Sequence, residues 1–145
     1  MSNIIADPFE VLDPQSFFVY GTLRTDLTRV SIDTDVSVIG SASMQNSRMY
    51  DAGAYPAVIS SDNIDDKVYG QVISYEHLDD ADWELRLHML DQYEGVPNLY
   101  QRELVSVDLD DGESVMVWTY IYNRPIDNLL PVASGDWKEW ITPKN

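Results

Sequence analysis

Two short segments of this 145-residue chain carry residues that could do chemistry. At Tyr20-Gly21-Thr22-Leu23-Arg24 a glycine follows directly on the strand-forming run Phe17-Phe18-Val19. A strand that ends on glycine can turn sharply, because glycine accepts positive φ without steric cost. Such a turn leaves consecutive backbone N–H groups unpaired, which makes a small cup for an anion. Arg24 adds one of the few cations of the chain. The second segment, Leu90-Asp91-Gln92-Tyr93-Glu94-Gly95, supplies a carboxylate. Together the two describe a site that grips a small carboxylate-bearing molecule and moves protons on it. A tight connection with no ligand is the competing reading of the glycine turn.

The element that must position the carboxylate is a helix from about Asp79 to Tyr93. Asp79 or Asp80 can cap its start, and Gly95 is placed to stop it in a left-handed conformation. Trp83, Leu87 and Leu90 recur at intervals of four and three, which sets them on one stripe. Glu94 extends that stripe: at roughly 100° per residue it projects between Trp83 and Leu87, toward the buried side. A carboxyl group there loses hydration and sits at the negative end of the helix dipole, and both effects raise its pKa toward neutrality. That makes Glu94 the candidate general acid/base. The alternative is that Glu94 leaves the helix end and hydrogen-bonds in solvent. Asp91 reads as a neighbour that braces the turn.

Around these segments the chain reads as an irregular arm over residues 1–15, with Asp7-Pro8 and Asp13-Pro14, followed by a single domain over 16–145. Residues 24–35 read as a loop or short helix. Strand candidates are 36–40, 47–50, 57–59, 67–75, 100–109 and 114–122, the last two joined by the hairpin turn Asp110-Asp111-Gly112. In the last strand Val115, Val117 and Ile121 alternate with Met116, Trp118 and Tyr120. Both faces are therefore apolar, which suits a barrel wall packed by side chains inside and by helices outside. Ser134 to Trp140 can form one short helix.

Composition removes several function classes. Cysteine is absent, which excludes disulfides, thiol chemistry and cysteine-bound metal. His77 and His88 stand eleven residues apart without a companion ligand motif, so neither a zinc site nor a Ser-His-Asp triad is expected. The formal net charge of −16 repels phosphate backbones and anionic lipids, so neither nucleic acid nor a membrane is an expected partner. No apolar run reaches the roughly 18 residues of a membrane span, and the expected location is the cytoplasm.

Taken in order, Phe17-Phe18-Val19-Tyr20-Gly21-Thr22-Leu23-Arg24, Gly53-Ala54-Tyr55-Pro56-Ala57, Val68-Tyr69-Gly70-Gln71-Val72, Leu90 to Gly95 with Tyr100-Gln101-Arg102, Trp118-Thr119-Tyr120 and Ser134 to Trp137 resemble the γ-glutamylcyclotransferase-like superfamily. The resemblance is strongest to its AIG2-like and γ-glutamylamine cyclotransferase branch and spans about residues 16–142. It implies an α+β fold: a compact mixed β-barrel, here of about six or seven strands, flanked by short helices. It further implies that Tyr20, Gly21, Thr22 and Leu23 bind substrate, that Glu94 is catalytic, and that Tyr100 is a candidate for lining the pocket or else a half-buried strand tyrosine. Tyr55 and Trp118 read as core or wall. The implied substrate is a small γ-glutamyl compound, cyclised to 5-oxoproline without metal or organic cofactor. The residues themselves leave monomer and homodimer open, with aromatics of the last strand and the C-terminal tryptophans as the surface that could support a dimer. A non-catalytic binding barrel of the same fold is the alternative. A glycosidase pairing Asp91 with Glu94 is disfavoured, because carboxylates three residues apart on one helix point the same way rather than flanking a sugar.

Overall fold

The computed structural model describes residues 14–21 and 36–142. Thr22, Leu23 and Arg24, the expected loop over 24–35 and nearly all of the N-terminal arm lie outside the described residues. Among the described residues, eight strands and two helices follow in the order β1 (Ser16–Val19), β2 (Ser37–Gln45), β3 (Ser47–Asp51), β4 (Pro56–Ser60), β5 (Lys67–Ser74), α1 (Asp80–Tyr93), β6 (Tyr100–Leu109), β7 (Ser114–Tyr122), β8 (Leu130–Pro131) and α2 (Trp137–Ile141).

Five of these strands close a barrel in the order β1-β5-β2-β6-β7, and the remaining three form a separate sheet, β4-β3-β8. The expected barrel is therefore present, with its strands divided differently from a single wall of six or seven. The division arises at Asn46, which takes φ 55° between β2 and β3 and lets the chain leave the barrel. From there β3 pairs antiparallel with β4 from Ser47↔Ser60 to Asp51↔Pro56. β2 is longer than expected, because Ser41-Ala42-Ser43 continues it along β5 despite weak strand propensity. Tertiary pairing, not side-chain type, extends it. Its register shifts between Val38 and Gly40, a bulge that bends the strand. β8 is a two-residue edge containing Pro131, too short to leave a periodic signal.

Closure is made by β1, which pairs antiparallel with β5 and parallel with β7, where Phe17 faces Trp118. All four of its residues are buried. Successive side chains point to opposite faces, so Phe18 enters the barrel interior with Val72, Val107 and Val117, while Phe17 and Val19 pack outside against the helix layer. β7 alternates in the same way: Val115, Val117 and Ile121 belong to the interior, and Trp118, Tyr120 and Tyr122 to the outer cluster. Met116 stays exposed.

α1 begins as expected, with the Asp79 carboxylate accepting from the Asp82 N–H at 2.8 Å, a cap worth about 1 kcal/mol. Its Trp83 and Leu90 are buried in the outer cluster and Leu87 packs against it. Burying a side chain such as Leu90 contributes ~1.5–3 kcal/mol relative to leaving it exposed. Phe17 stacks on Tyr120 at 5.4 Å and lies 6.0 Å from the Trp83 ring, so aromatic packing holds the helix on the β1/β7 seam.

Candidate active site at the end of the first helix

The carboxylate is delivered by the way α1 stops. Glu94 keeps helical backbone angles and donates its N–H to Leu90 O at 3.0 Å. Gly95 then takes φ 68°, which allows its N–H to reach Gln92 O at 3.1 Å and the Val96 N–H to reach Asp91 O at 3.0 Å. This paired closure satisfies the last carbonyls of the helix and requires a left-handed residue after the cap, where a side chain would be strained. Glu94 is thus the last residue in helical geometry, on the stripe of Trp83, Leu87 and Leu90. Its side chain lines a small cleft of about 40 Å³, partly open to solvent, with Phe18, Val19, Tyr20, Gly21, Pro56, Tyr100 and Tyr120.

The Glu94 carboxyl is half-buried, and loss of hydration pushes its pKa up to about 7. The sign of the stability effect follows. Between its ordinary value of 4.5 and about 7 the folded state holds a proton that the unfolded state has lost, so stability falls as pH rises through that window. Glu94→Gln, which stays neutral, is expected to be more stable than the parent at pH 8 by on the order of 1–2 kcal/mol, allowing for solvent screening of a half-buried group. The difference should vanish near pH 4. Urea unfolding of both proteins at the two pH values measures it, and equal stabilities at pH 8 would show that Glu94 titrates as an ordinary surface carboxyl.

Three tyrosines line the cleft beside Glu94, and two of them donate to backbone carbonyls. Tyr20, buried at the end of β1, donates its hydroxyl to Tyr120 O, and Tyr100 donates its own to Pro56 O at 2.5 Å. With both protons committed to backbone carbonyls, the phenol oxygens can offer only acceptor capacity to a ligand. Burial raises the pKa of each above the ordinary phenol range, and the Glu94 charge raises both further, so the phenols stay neutral. Tyr55 is half-buried with its ring 6.2 Å from that of Tyr100, a wall position.

Gly21 is also where the sequence places it, lining the same cleft, but for another reason. Its backbone is not left-handed; the positive-φ glycines among the described residues are Gly53, Gly95, Gly112 and Gly135. What requires glycine is close approach: a Cβ at position 21 would lie 2.8 Å from Pro56 Cγ. Tyr20, Gly21, Tyr100 and Glu94 are therefore brought together in one cleft. Thr22 and Leu23 lie outside the described residues. Phe18, Val19, Pro56 and Tyr120 are lining residues that sequence reasoning did not assign to the site. Tyr120 could have been found from the β7 alternation, which sets it on the outer face with Trp118. Pro56 carries no such signal, because it arrives from the separate β4-β3-β8 sheet.

Asp91 faces away from the cleft toward β6 and β7, where it binds Arg102 and Tyr120. It does not oppose Glu94 across a ligand space, which removes the paired-carboxylate arrangement of a glycosidase. His77 and His88 are exposed and line no part of the cleft. Among the described residues no group of three or more His, Asp or Glu is placed to hold a metal ion, and no helix is long and apolar enough to cross a membrane.

A five-stranded barrel with a helix-end glutamate and the end of its first strand lining one cleft is the arrangement that the comparisons with known proteins address. The family model described as gamma-glutamyl cyclotransferase, AIG2-like, matches residues 17–139. The chain is also 30% identical over 120 residues to the gamma-glutamylcyclotransferase family protein YtfP of Escherichia coli, covering 83% of this chain and 93% of that one. The solution structure of E. coli ytfP superimposes with a TM-score of 0.60 at 29% identity, over 88% of this chain and 99% of the other. An AIG2-like protein from Mus musculus shares the fold, with a TM-score of 0.63 at 23% identity over 81% and 84% of the two chains. The chain belongs to the AIG2-like γ-glutamyl cyclotransferase family.

Proposed function

We propose that the protein cyclises the γ-glutamyl group of a small conjugate to 5-oxoproline and releases the free amine, with Glu94 as general acid/base. In such a substrate the α-amine attacks the γ-carbonyl carbon of the same molecule, a new C–N bond closes a five-membered lactam, and the amide bond to the leaving amine breaks. The proton lost by the attacking nitrogen goes to Glu94 and is then delivered to the departing nitrogen, so the enzyme ends as it began. The work required of the protein is to fold the glutamyl chain into attack geometry and to move that proton.

The reading is carried by one observation: the half-buried Glu94 carboxyl, whose pKa burial pushes up to about 7, lines the same cleft as Tyr20 and Gly21. A group balanced near working pH both accepts and returns a proton efficiently. The phenol oxygens of Tyr20 and Tyr100, limited to accepting, suit an α-amine, which arrives with protons to donate. The backbone N–H groups from Gly21 onward, with Thr22 and Leu23, are assigned to the α-carboxylate. No part of this scheme calls on a metal or an organic cofactor.

The test is direct. Incubation of the pure protein with a panel of γ-glutamyl amines, γ-glutamyl amino acids and γ-glutamyl peptides should yield 5-oxoproline and free amine in equal amounts from at least one class. Saturable binding of γ-glutamyl compounds without any 5-oxoproline would instead identify a non-catalytic binding barrel, since membership of a superfamily does not by itself establish activity.

A further inference from the structure

We infer that Asp91 is a positioning residue: held by Arg102 and Tyr120, it fixes the last turn of α1 and so sets where the Glu94 carboxylate stands in the cleft. The inference rests on the role proposed for Glu94. Asp91 Oδ1 accepts from Arg102 Nε at 2.9 Å and from the Tyr120 hydroxyl at 2.8 Å, and Oδ2 lies 3.2 Å from the same Nε. Arg102 and Tyr120 face each other across the β6–β7 ladder, so two neighbouring strands present their donors side by side to one carboxylate. The Arg102 guanidinium carbon sits 4.4 Å over the Trp118 ring, which removes rotational freedom from the donor itself.

The same residue acts at both ends. While its side chain is tied to the barrel wall, its backbone carbonyl accepts the Val96 N–H that closes the turn after Gly95. Glu94 lies between these two attachments. Tyr120 extends the link to another residue of the cleft lining, since its own carbonyl accepts the Tyr20 hydroxyl. The Arg102–Asp91 pair is largely sheltered, with each side chain 22% exposed, so its hydrogen bonds are charge-assisted and less screened than a surface pair. Ångström-scale displacement of a proton-transfer group can cost about two orders of magnitude in rate, so loosening this turn acts on chemistry before it acts on binding.

Asp91→Ala and Asp91→Asn test this, with L-γ-glutamyl-butylamide as the probe substrate and the side-chain carboxyl carbon of Glu94 followed by NMR. The titratable groups set against Glu94 are Tyr20, Tyr100 and Tyr120, while the Asp91–Arg102 pair lies on the side of α1 turned to β6 and β7. Removing Asp91 frees the last turn of α1 and admits water to the half-buried Glu94 carboxyl, which reverses the desolvation that raises its pKa and so lowers its titration midpoint. Asp91→Ala should reduce kcat about 10-fold or more with KM changed less than about 3-fold, and should move the Glu94 midpoint at least about one pH unit below the parent's. Asp91→Asn, still able to accept from Arg102 or Tyr120, should recover part of both effects. Arg102→Lys, which replaces the stacked planar donor, should shift both in the same direction and serves if Asp91→Ala does not fold. Folded variants with parental kcat and an unmoved Glu94 midpoint would overturn the inference. Glu94→Gln assayed in parallel keeps the two assignments apart: if it turns over normally the role of Glu94 falls, and if it is inactive while Asp91→Ala is normal only the positioning role falls. If the parent does not turn over the butylamide, the NMR midpoints alone decide.

Discussion

Glu94→Gln is expected to fold normally and to lower turnover of a γ-glutamyl substrate at least ~100-fold. Glutamine keeps the length and planarity of the side chain, so the helix end and its closure at Gly95 are undisturbed, but an amide cannot take up and return a proton. The effect should fall on kcat, because the amide still fills the cleft and can still accept from an amine. The parent has its own signature. In the proposed mechanism the base form of Glu94 starts the reaction, and burial pushes its pKa up to about 7, so activity should fall as pH drops through that value. An ordinary glutamate would place the loss more than two units lower. A rate profile from pH 5 to 9 checks this, and a limb near pH 4 or near-parental turnover in the glutamine variant would remove Glu94 from the chemistry.

Gly21→Val is expected to act on binding. A Cβ at this position would meet Pro56 Cγ at 2.8 Å and Cδ at 3.0 Å, and valine adds two methyl groups beyond it. Overpacking of this size costs ~1–3 kcal/mol, and it is relieved by moving either the Tyr20 turn or the start of β4. Both lie at the site: Tyr20 carries one acceptor oxygen, and Pro56 supplies the carbonyl that fixes the Tyr100 hydroxyl. KM for a γ-glutamyl substrate should rise ~10-fold or more while kcat at saturation falls less. Titration calorimetry with a γ-glutamyl ligand measures the same loss without turnover. Normal affinity in a folded Gly21→Val protein would separate the glycine turn from the substrate cup.

How much of the fold and site is legible in the amino-acid sequence depends on how local each cause is. The Asp79 cap, the Trp83–Leu87–Leu90 stripe and the Gly95 stop all act within a few residues of one helix, and each stands where periodicity and residue type place it. The projection of Glu94 onto the buried side follows from the same count, because helical geometry runs to that residue. The β6–β7 hairpin is equally local: Gly112 takes φ 97° at the turn, and the two-faced alternation of β7 matches a wall with an interior and a helix-covered exterior. Polar Ser41-Ala42-Ser43 is not legible as strand, since its conformation comes from pairing with β5 rather than from its own side chains.

What the amino-acid sequence determined by itself was the set of parts: a strand that ends on glycine, a helix that ends on a half-buried glutamate, and the family order in which they come. Short-range sterics and the helical repeat are sufficient for these, because they involve neighbours along the chain. Only the tertiary structure decided which parts meet. Parallel closure of β1 against β7 sets Tyr20 beside the end of α1, the exit at Asn46 carries Pro56 from a second sheet onto Gly21, and the β6–β7 register sets Arg102 and Tyr120 together on Asp91. These contacts join residues from 11 to 101 positions apart, and their geometry is fixed by packing of the whole barrel rather than by any local preference.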